Sequence, residues 1–362
     1  MKKIALFISS LQKGGSERVM VNLAEYFQAK GYEVLLVTQY QREVEYEISS
    51  EIKRVYSEPE PAFVQGGRIH NFLVRFQTMR KIWKDFEPDV ILSFIGKNNF
   101  MAIITALGLP VKVVSSVRGE PHMEYPGKNR QLANILFSLA DGVVLQTEQS
   151  KDFFCHQVAK KAVVLPNPLN LQFLRERYTG EREPVIIAAG RLDENKNHAM
   201  LIHAFSKIAN DFPKMRVVIC GEGESRLELE KLIAEYGLQG RVELPGSVSD
   251  LPERLYKAAV FTLTSNTEGL PNSLMEAMAL GVPCVSTDCP CGGPAMLIRN
   301  GENGLLVPVR DADALAEAFR KILSDSKFAD KMSNGAYEIT KELHPDKVNS
   351  EWEKYFLKLL KK

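Results

Sequence analysis

Short runs of apolar and β-branched residues alternate along the chain with stretches whose apolar residues recur every three or four positions. In the first half the runs are KIALFIS, EVLLVT, DVILSF, KVVSSV and GVVLQT; in the second half they are PVIIAAG, MRVVICG, RVEL, VFTLTS, PCVST and GLLVPV. Continuous apolar runs are typical of parallel strands buried on both faces, and their alternation with helices indicates βαβ units. The pattern therefore predicts an α/β protein built from doubly wound parallel sheets.

This alternation begins a second time near residue 184. The segment before it, PNPLNLQFLRERYTGEREP, is rich in proline and charge and contains no strand-like run. We therefore predict a first domain over 1–168, a linker over 169–183 and a second domain over 184–345, with a central cleft between the domains. A last helix at about 346–362 is expected to pack back on the first domain. Ligands of such sheets bind at the carboxyl ends of the strands.

Composition narrows the class of protein. The chain has 362 residues with 45% hydrophobic and 25% charged residues, which is typical of a soluble protein of two ordinary domains. A net charge of +1 argues against a general nucleic-acid binder. Five scattered cysteines, with no spaced ligand set around Cys289 and Cys291, indicate reduced thiols in a cytoplasmic protein and no zinc site. Neither a signal peptide nor a membrane-spanning run is evident.

The stretch SNTEGLPNSLMEAMALGVPCVS, residues 265–286, contains two glutamates in unusual places. Pro271 suits the first turn of a helix and Gly281 suits its end, so a helix over about 271–280 is predicted. Glu276 is the only charge on that apolar helix, and Glu268 precedes its N-terminus. One such glutamate alone fits a structural role equally well. Together they suggest carboxylates that bind hydroxyls beside a helix N-terminus that binds phosphate, as a sugar nucleotide would require.

Two further turns each follow the first predicted strand of a domain. Gly14 and Gly15 in LQKGGSERVMVNLAEYF precede a helix and would let a ligand approach the backbone, although a plain tight turn explains them equally well. In AAGRLDENKNHAMLIHAF, Arg191 follows Gly190 at a strand end, and Lys196 comes just before a helix. Two cations at that place suit a diphosphate, whereas either one alone would fit a solvated surface.

Taken together, several segments resemble the retaining nucleotide-sugar glycosyltransferases of family four, which have the GT-B fold of two Rossmann-like domains. The resemblance covers nearly all of the second half, through GRLDENKNHAMLIHAF, VVICGEGESRLELEKLIAEYGLQGRVELPGSV and EGLPNSLMEAMALGVPCVSTDCPCGGP. It is weaker in the first half, where GGSERVMVNLA matches best. GGSERV, SVRGEPHMEYPGKNR and TDCPCGGP resemble the branch that builds bacterial capsule, O-antigen and lipid-linked glycans.

The resemblance implies an activity. The enzyme would move a hexose or N-acetylhexosamine from a nucleotide sugar, expected to be UDP-linked, to a hydroxyl of a glycan or lipid-linked acceptor, with retention of configuration. It would require neither a metal nor a cofactor. The only Asp-x-Asp pair, Asp311 and Asp313, is expected to cap a helix.

Residue roles follow from the resemblance by position. Arg191 and Lys196 would hold the donor diphosphate, Glu276 the ribose hydroxyls and Glu268 the hydroxyls of the donor sugar, and Gly15 would face the diphosphate from the other domain. Glu268, Arg191 and Lys196 form the expected catalytic set. The expected donor-binding set is Gly14, Gly15, Gly190, Arg191, Lys196, Glu268, Gly269, Leu270, Pro271, Asn272, Ser273 and Glu276.

Two positions depart from the family, and the first is Met296, which lies near the place after GGP where members usually have a glutamate. Arg118 lies where many members have a histidine, and His122 follows four residues later. Arg118 cannot be a general base, because a guanidinium keeps its proton in proteins. Either residue could lie on the acceptor or sugar side, and the sequence does not choose between them.

Other functions with a related architecture remain open at this point. A non-hydrolysing sugar-nucleotide epimerase would share the fold, but it needs acid–base groups around the sugar and no acceptor site. A two-domain solute-binding protein would need export. A Rossmann dehydrogenase would need the GxGxxG fingerprint, which the chain lacks.

The window GRIHNFLVRFQTMRKIWK, residues 67–84, predicts a basic amphipathic helix. Its five Lys and Arg residues and its apolar stripe could lie on an anionic bilayer, which would place the enzyme at the inner face of the cell membrane. The C-terminal WEKYFLKLLKK has a similar character. The alternative is that both are ordinary helices packed on the first domain, with solvated basic faces.

Overall fold

The computed structural model describes residues 2–58 and 67–361. Thirteen strands lie in this part of the chain: β1 Lys3–Ile8, β2 Glu33–Thr38, β3 Lys53–Tyr56, β4 Val90–Phe94, β5 Lys112–Ser116, β6 Gly142–Leu145, β7 Ala162–Val164, β8 Glu183–Ala189, β9 Arg216–Cys220, β10 Val242–Gly246, β11 Ala258–Leu263, β12 Cys284–Thr287 and β13 Leu305–Val307.

Fifteen α-helices connect or follow these strands in the described residues. They are α1 Gly15–Ala29, α2 Arg68–Phe86, α3 Gly96–Ala106, α4 Pro121–Glu124, α5 Lys128–Leu139, α6 His156–Lys161, α7 His198–Ser206, α8 Arg226–Glu235, α9 Leu251–Lys257, α10 Asn272–Ala279, α11 Gly293–Leu297, α12 Ala312–Ser324, α13 Ser326–Tyr337, α14 Ile339–Glu342 and α15 Pro345–Leu360. Short 3-10 helices cover Gln149–Phe153 and Leu171–Phe173.

The strands form two parallel sheets. The first has the order β3-β2-β1-β4-β5-β6-β7, and the second has the order β10-β9-β8-β11-β12-β13. Every pairing between the strands is parallel, which confirms the prediction of doubly wound α/β architecture. In each sheet the order reverses beside the first strand, β1 or β8. This reversal is the point where open α/β sheets bind ligands.

Two strands at the edges of the first sheet have no counterpart among the predicted runs. β3 has the sequence KRVY and is only half-buried, and β7 has three residues. A continuous apolar run indicates a strand that is buried on both faces. Edge strands are short and carry charge, so they give no such signal.

The chain divides into two compact units. Unit 1 comprises Met1–Asn167 and Asp346–Lys362, and unit 2 comprises Pro168–Pro345. Helix α15 packs on unit 1: the rings of Phe27 and Phe356 stack at 5.5 Å, and the hydroxyl of Tyr26 donates to Glu353 at 3.0 Å. Burial and the Glu353 carboxylate raise the pKa of Tyr26 to about 12, so that hydroxyl stays a donor at neutral pH.

Residues 169–183 differ from the predicted linker, because they are packed within unit 2. Phe173 is buried, and Arg182 donates to the carbonyls of Gly281 at 2.6 Å and Ala258 at 3.0 Å. The charge that suggested a solvated segment is therefore used to bind carbonyl groups at the ends of α10 and α9.

Helix α2 combines two halves with different surroundings. In its second half Met79 and Trp83 are buried in the core of unit 1, while Ile69, Phe72 and Leu73 in its first two turns are exposed. Its apolar stripe therefore covers the sheet over only half of its length.

Fewer of the cations on α2 are free than the sequence suggested. Three of the five have partners: Arg75 pairs with Glu58, Arg80 donates to two carbonyls at the end of α3, and Lys81 pairs with Asp85. Within the described residues, no helix is long and apolar enough to cross a membrane.

Candidate active site

The candidate site of unit 2 lies at the carboxyl ends of β8 and β11, which are neighbours in the second sheet. Because both strands are parallel, the loops after them, residues 190–197 and 264–271, meet at the same edge. The ammonium group of Lys196 lies 2.5 Å from the Glu268 carboxylate, across 72 positions of sequence. The two side chains are only 17% and 13% exposed, so this ion pair is shielded from solvent screening.

Several hydrogen bonds hold the ion pair in place. The Ser265 hydroxyl donates to the same carboxylate oxygen of Glu268 at 2.6 Å. The Thr264 hydroxyl donates to the Lys196 carbonyl at 2.9 Å. The carboxylate therefore receives two donors before any ligand is present, and both loops keep a fixed geometry.

Asn195 joins the two loops over a longer stretch. Its side-chain amide donates to the Thr267 carbonyl at 3.0 Å, and its side-chain oxygen accepts from the Thr267 N–H at 3.1 Å and hydroxyl at 2.8 Å. Its carbonyl accepts from the Asn266 N–H at 2.7 Å. Asn195 thus pairs with Thr267 as a neighbouring strand would. Sequence reasoning missed this role, because an asparagine in a polar loop has no local signature.

Arg191 has different surroundings from Lys196. Its side chain is 79% exposed and pairs with Asp193 at 3.1 Å. The two predicted cations therefore lie in one loop, but one is held inside the loop pair and the other extends into solvent. The difference leaves Arg191 free to move toward a ligand, whereas Lys196 is already positioned.

His198, the first residue of α7, contacts the backbone of this loop. Its ring nitrogen Nε2 lies 3.2 Å from the Arg191 carbonyl. Burial lowers the pKa of the ring to about 4, so His198 is neutral at physiological pH and can donate that hydrogen bond. Sequence reasoning did not single out His198, although its place one residue after the loop could have suggested it.

Helix α10, which begins just after the loop with Glu268, contains the second glutamate. It begins at Asn272 with Pro271 as N-cap, and Gly281 follows its end with a positive φ of 66°. Glu276 is 4% exposed, one turn into the helix. The N–H groups of the first turn lack partners within a helix, so the segment from Gly269 to Ser273 is suited to an anion.

A glycine allows the next loop to approach this segment. A side chain at Gly293 would place a Cβ 1.6 Å from the Gly269 carbonyl oxygen, which no packing can accommodate. The loop after β12, which contains Cys289 and Cys291, therefore closes against residue 269. Both thiols are buried and reduced, and burial raises the pKa of Cys289 to about 12, so it is not a reactive thiolate.

In unit 1 the two glycines lie at the start of α1. Gly14 is the extended N-cap of this helix and Gly15 is its first residue, and residues 9–13 separate Gly14 from the carboxyl end of β1. A Cβ at Gly14 would meet the Glu17 carboxylate, which is the end of a flexible side chain and can move, so packing alone does not require a glycine there.

Arg118 and His122 have opposite surroundings. The guanidinium of Arg118 is buried over the rings of Phe94 and Trp352, at 4.8 and 5.9 Å, and it donates to Asn167. Burial lowers its pKa to about 9, which leaves it a cation at neutral pH. His122 is exposed and packs edge-on against Phe153 at 4.8 Å. The structure therefore does not bring them into one cluster, and a role for either one in acceptor binding stays a prediction.

Glu124 organises the loop that carries both residues, and sequence reasoning missed it. Its carboxylate accepts N–H groups of Gly96 at 3.1 Å, Arg118 at 2.9 Å and Gly119 at 2.6 Å. Burial raises the pKa of this carboxyl, and the three N–H donors oppose that rise. Glu124 thus joins the start of α3 to the loop after β5.

Metal ligands do not cluster in residues 2–58 and 67–361: no group of three or more His, Cys, Asp or Glu side chains is arranged to hold an ion. Asp311 accepts from the N–H of Ala314 at 2.8 Å at the start of α12, which confirms that it caps this helix.

Comparison with known proteins identifies the family. The model of the family Glycosyl transferases group 1 matches residues 172–339, and that of Glycosyltransferase Family 4 matches residues 13–173, so the two matches together span residues 13–339. The chain belongs to glycosyltransferase family 4. It is a nucleotide-sugar glycosyltransferase with the GT-B fold.

A curated relative agrees with this family, and structural neighbours agree with its fold. An α-1,4-N-acetyl-D-galactosaminyltransferase of Campylobacter jejuni, named for the acceptor GalNAc-α-(1→4)-GalNAc-α-(1→3)-diNAcBac-PP-undecaprenol, is 28% identical over 354 residues, which is 97% of each chain. Sucrose-phosphate synthase from Thermosynechococcus elongatus shares the fold with a TM-score of 0.86 at 19% identity, over 99% of each chain. Anabaena HepE in complex with UDP has a TM-score of 0.83 at 17% identity, over 99% of this chain and 100% of its own.

Proposed function

We propose that this family 4 enzyme transfers an N-acetylhexosamine from a UDP-linked donor to a hydroxyl of a glycan carried on a lipid diphosphate. The observation that supports this most is the likeness to the Campylobacter N-acetylgalactosaminyltransferase along 97% of both chains, since that relative is named for such an acceptor. HepE, which has the same fold, was solved with UDP. A cytoplasmic enzyme would meet both substrates at the inner face of the membrane.

The donor site in this proposal is the loop pair of unit 2. Lys196 binds the diphosphate, and the exposed Arg191 turns toward it from the same loop. The N–H groups from Gly269 to Ser273 add partial positive charge at the start of α10. Glu276, deeper in that helix, accepts from the ribose hydroxyls, and Glu268 accepts from a hydroxyl of the sugar.

The chemistry follows from charge. The bond between the anomeric carbon and the diphosphate oxygen breaks, and negative charge grows on the leaving UDP. Lys196, which is already in place, stabilises this charge without reorganisation, and Arg191 adds to it once it has turned toward the diphosphate. The acceptor oxygen bonds to the anomeric carbon from the side of the leaving group, and its proton passes to a phosphate oxygen. No protein base is required for this route, which agrees with an arginine at position 118.

The Lys196–Glu268 ion pair has a direct part in this mechanism. Before the donor binds, Glu268 holds the ammonium group at the edge of the sheet, 2.5 Å away. When the diphosphate arrives, the ammonium is shared between two anions, and the carboxylate becomes available to a sugar hydroxyl. Binding of the donor and release of Glu268 are therefore coupled.

Metal independence is part of the proposal. Arg191, Lys196 and the start of α10 supply the positive charge that a divalent ion supplies elsewhere. Transfer should therefore continue in EDTA. Loss of activity in EDTA that Mn²⁺ or Mg²⁺ restores would contradict this part of the mechanism.

The test offers UDP-GalNAc, UDP-GlcNAc, UDP-glucose and GDP-mannose to the full chain, with and without an undecaprenyl-diphosphate-linked glycan in detergent. Mass spectrometry should detect an acceptor heavier by one N-acetylhexosamine, together with UDP. A sugar-nucleotide epimerase, the alternative with the same fold, would convert a donor to its epimer with no acceptor present. That result, with no glycan product, would overturn the proposal.

A further inference from the structure

Exposed apolar side chains are concentrated on two helices of unit 1. Of the fourteen large apolar side chains exposed in the described residues, six belong to α2 and α5: Ile69, Phe72, Leu73, Leu132, Ile135 and Leu139. Single exposed apolar residues are ordinary, whereas a concentration of them marks a contact surface.

Helix α5 is apolar on two opposite sides. Ala133 and Phe137 face the core of unit 1, as expected for a helix that covers a sheet. Leu132, Ile135 and Leu139 follow each other at spacings of three and four on its outer side, and Ile135 is 63% exposed. A surface helix normally has polar residues there. This outer stripe therefore requires an explanation that packing among residues 2–58 and 67–361 does not provide.

The starts of the two helices are positively charged. Lys128 at the start of α5 and Arg68 in the first turn of α2 are exposed, with no ion pair to another described residue. From residue 119 to 140 the only acids are Glu120 and Glu124, and both accept backbone N–H groups within their own loop. The outward surface thus combines apolar side chains with unpaired cations.

The topology places part of this surface beside the substrate edge. Helices α2, α3 and α5 each follow a strand of the first sheet and lead to the next parallel strand, so each begins at the carboxyl edge. α3 packs between α2 and α5. The exposed first turns of α2 and the start of α5 therefore lie at the edge where ligands of such sheets bind.

We propose that the outer side of α5, together with the first turns of α2, is the surface by which the enzyme lies on an anionic bilayer. Apolar side chains enter the headgroup region while neighbouring cations contact anionic lipid. A second copy of this chain would be a poorer occupant, because it would bring cations against cations. The inference rests on the proposed function only for the lipid-linked acceptor that makes such contact useful.

The experiment measures co-sedimentation of the full chain with vesicles of phosphatidylcholine alone and of phosphatidylcholine with phosphatidylglycerol. Wild type should bind only the anionic vesicles, and less as salt rises. The variant Leu132→Ser/Ile135→Ser/Leu139→Ser should lose that binding while its thermal unfolding stays that of wild type, because these side chains are exposed. Lys128→Ala should weaken partition about fivefold, the effect of one cation near an anionic leaflet.

The matched control is Leu227→Ser on α8 of unit 2, where a leucine that is more exposed than any residue of the stripe lies outside the surface. It should bind vesicles as wild type does. Equal binding by the α5 triple variant would overturn the inference, as would recovery of wild type in the supernatant with both vesicle types. A concentration-dependent dimer that the triple variant abolishes, without vesicle binding, would also overturn it in favour of self-association.

Transfer to a lipid-linked glycan in detergent separates this inference from the proposed function. If the enzyme transfers sugar normally in detergent but does not bind vesicles, the proposed membrane surface is wrong and the proposed function stands. Vesicle binding without any transfer in detergent would reject the proposed function and keep the surface. If both hold, the triple variant should transfer normally in detergent and poorly to acceptors embedded in vesicles.

Discussion

The loops at the carboxyl edges of the two sheets each contain a cation and a carboxylate, but these groups have different partners in the two units. In unit 2 the loops after β8 and β11 hold Lys196 and Glu268 at 2.5 Å, with both groups still partly exposed. The loop after β5 in unit 1 also contains a cation and a carboxylate. There, however, Arg118 is buried against the rings of Phe94 and Trp352, and Glu124 accepts three backbone N–H groups.

This difference separates groups that are kept for a ligand from groups that are used by the fold. A carboxylate that pairs with a side-chain ammonium can exchange that partner for a ligand, whereas a buried guanidinium, or a carboxylate that accepts three backbone N–H groups, cannot leave its partners without a large desolvation cost. Changes at the sheet edge of unit 1 should therefore alter stability, and changes at the sheet edge of unit 2 should alter activity. The predictions below test that division.

The largest effect is expected at the ion pair. Lys196→Ala and Glu268→Gln should each lower kcat about 10²–10³-fold at saturating donor, since each removes a preorganised charge from the donor site. The double variant should lose less than the product of the two, because the residues act as a pair. Lys207→Ala, which breaks the exposed Lys207–Asp313 pair of the same unit, is the control and should be neutral. Wild-type turnover in both single variants would show that the site assignment is wrong.

The corresponding change in unit 1 is Glu124→Gln. The substitution places a side-chain NH₂ group, which is a donor, where backbone N–H groups need an acceptor. We therefore expect a loss of about 2–4 kcal/mol in the free energy of unfolding. Urea unfolding measures it, and Glu148→Gln at an exposed pair is the control. If stability is unchanged while turnover collapses, the two edges do not divide their roles as stated.

His198 should make stability depend on pH. Its ring has a pKa of about 4 in the folded chain, against an ordinary value near 6.5, because burial disfavours the cation. Between these values the unfolded chain binds a proton that the folded chain does not, so stability falls with acid, by up to about 3 kcal/mol at pH 4. His198→Gln keeps a donor for the Arg191 carbonyl and does not titrate. Urea unfolding from neutral pH to about pH 4 should therefore fall less steeply for the variant, and identical slopes would refute the assignment.

The smallest effect is expected where one loop positions the other. Asn195→Ala removes three side-chain hydrogen bonds to Thr267 and should lower kcat/KM about 10- to 100-fold by displacing Lys196 and Glu268. Thr267→Val removes only the hydroxyl bond and keeps the backbone pairing, so it should cost clearly less. Steady-state kinetics decide the order, and an equal effect of the two changes would mean that the backbone pairing does not position the site.

The sequence alone determined what depends on local order. Apolar runs identified eleven strands and their parallel arrangement, because a strand buried on both faces is continuous in sequence. The α10 helix with Pro271 before it and Gly281 after it, and the Asp311 cap, follow from backbone rules that involve a few neighbouring residues. The segments around Arg191, Lys196, Glu268 and Glu276, with these residues in that order, also suggested the family.

The tertiary structure decided what depends on contacts between distant segments. The Lys196–Glu268 pair joins residues 72 positions apart, and Asn195 and Thr267 meet only because β8 and β11 are neighbours. The burial of Arg118 depends on Trp352 of the last helix. The two halves of α2 have the same helical periodicity, and only the extent of the sheet beneath them decides which half is buried. Periodicity shows that a face is apolar, but what covers that face is set by parts of the chain that lie far away in sequence.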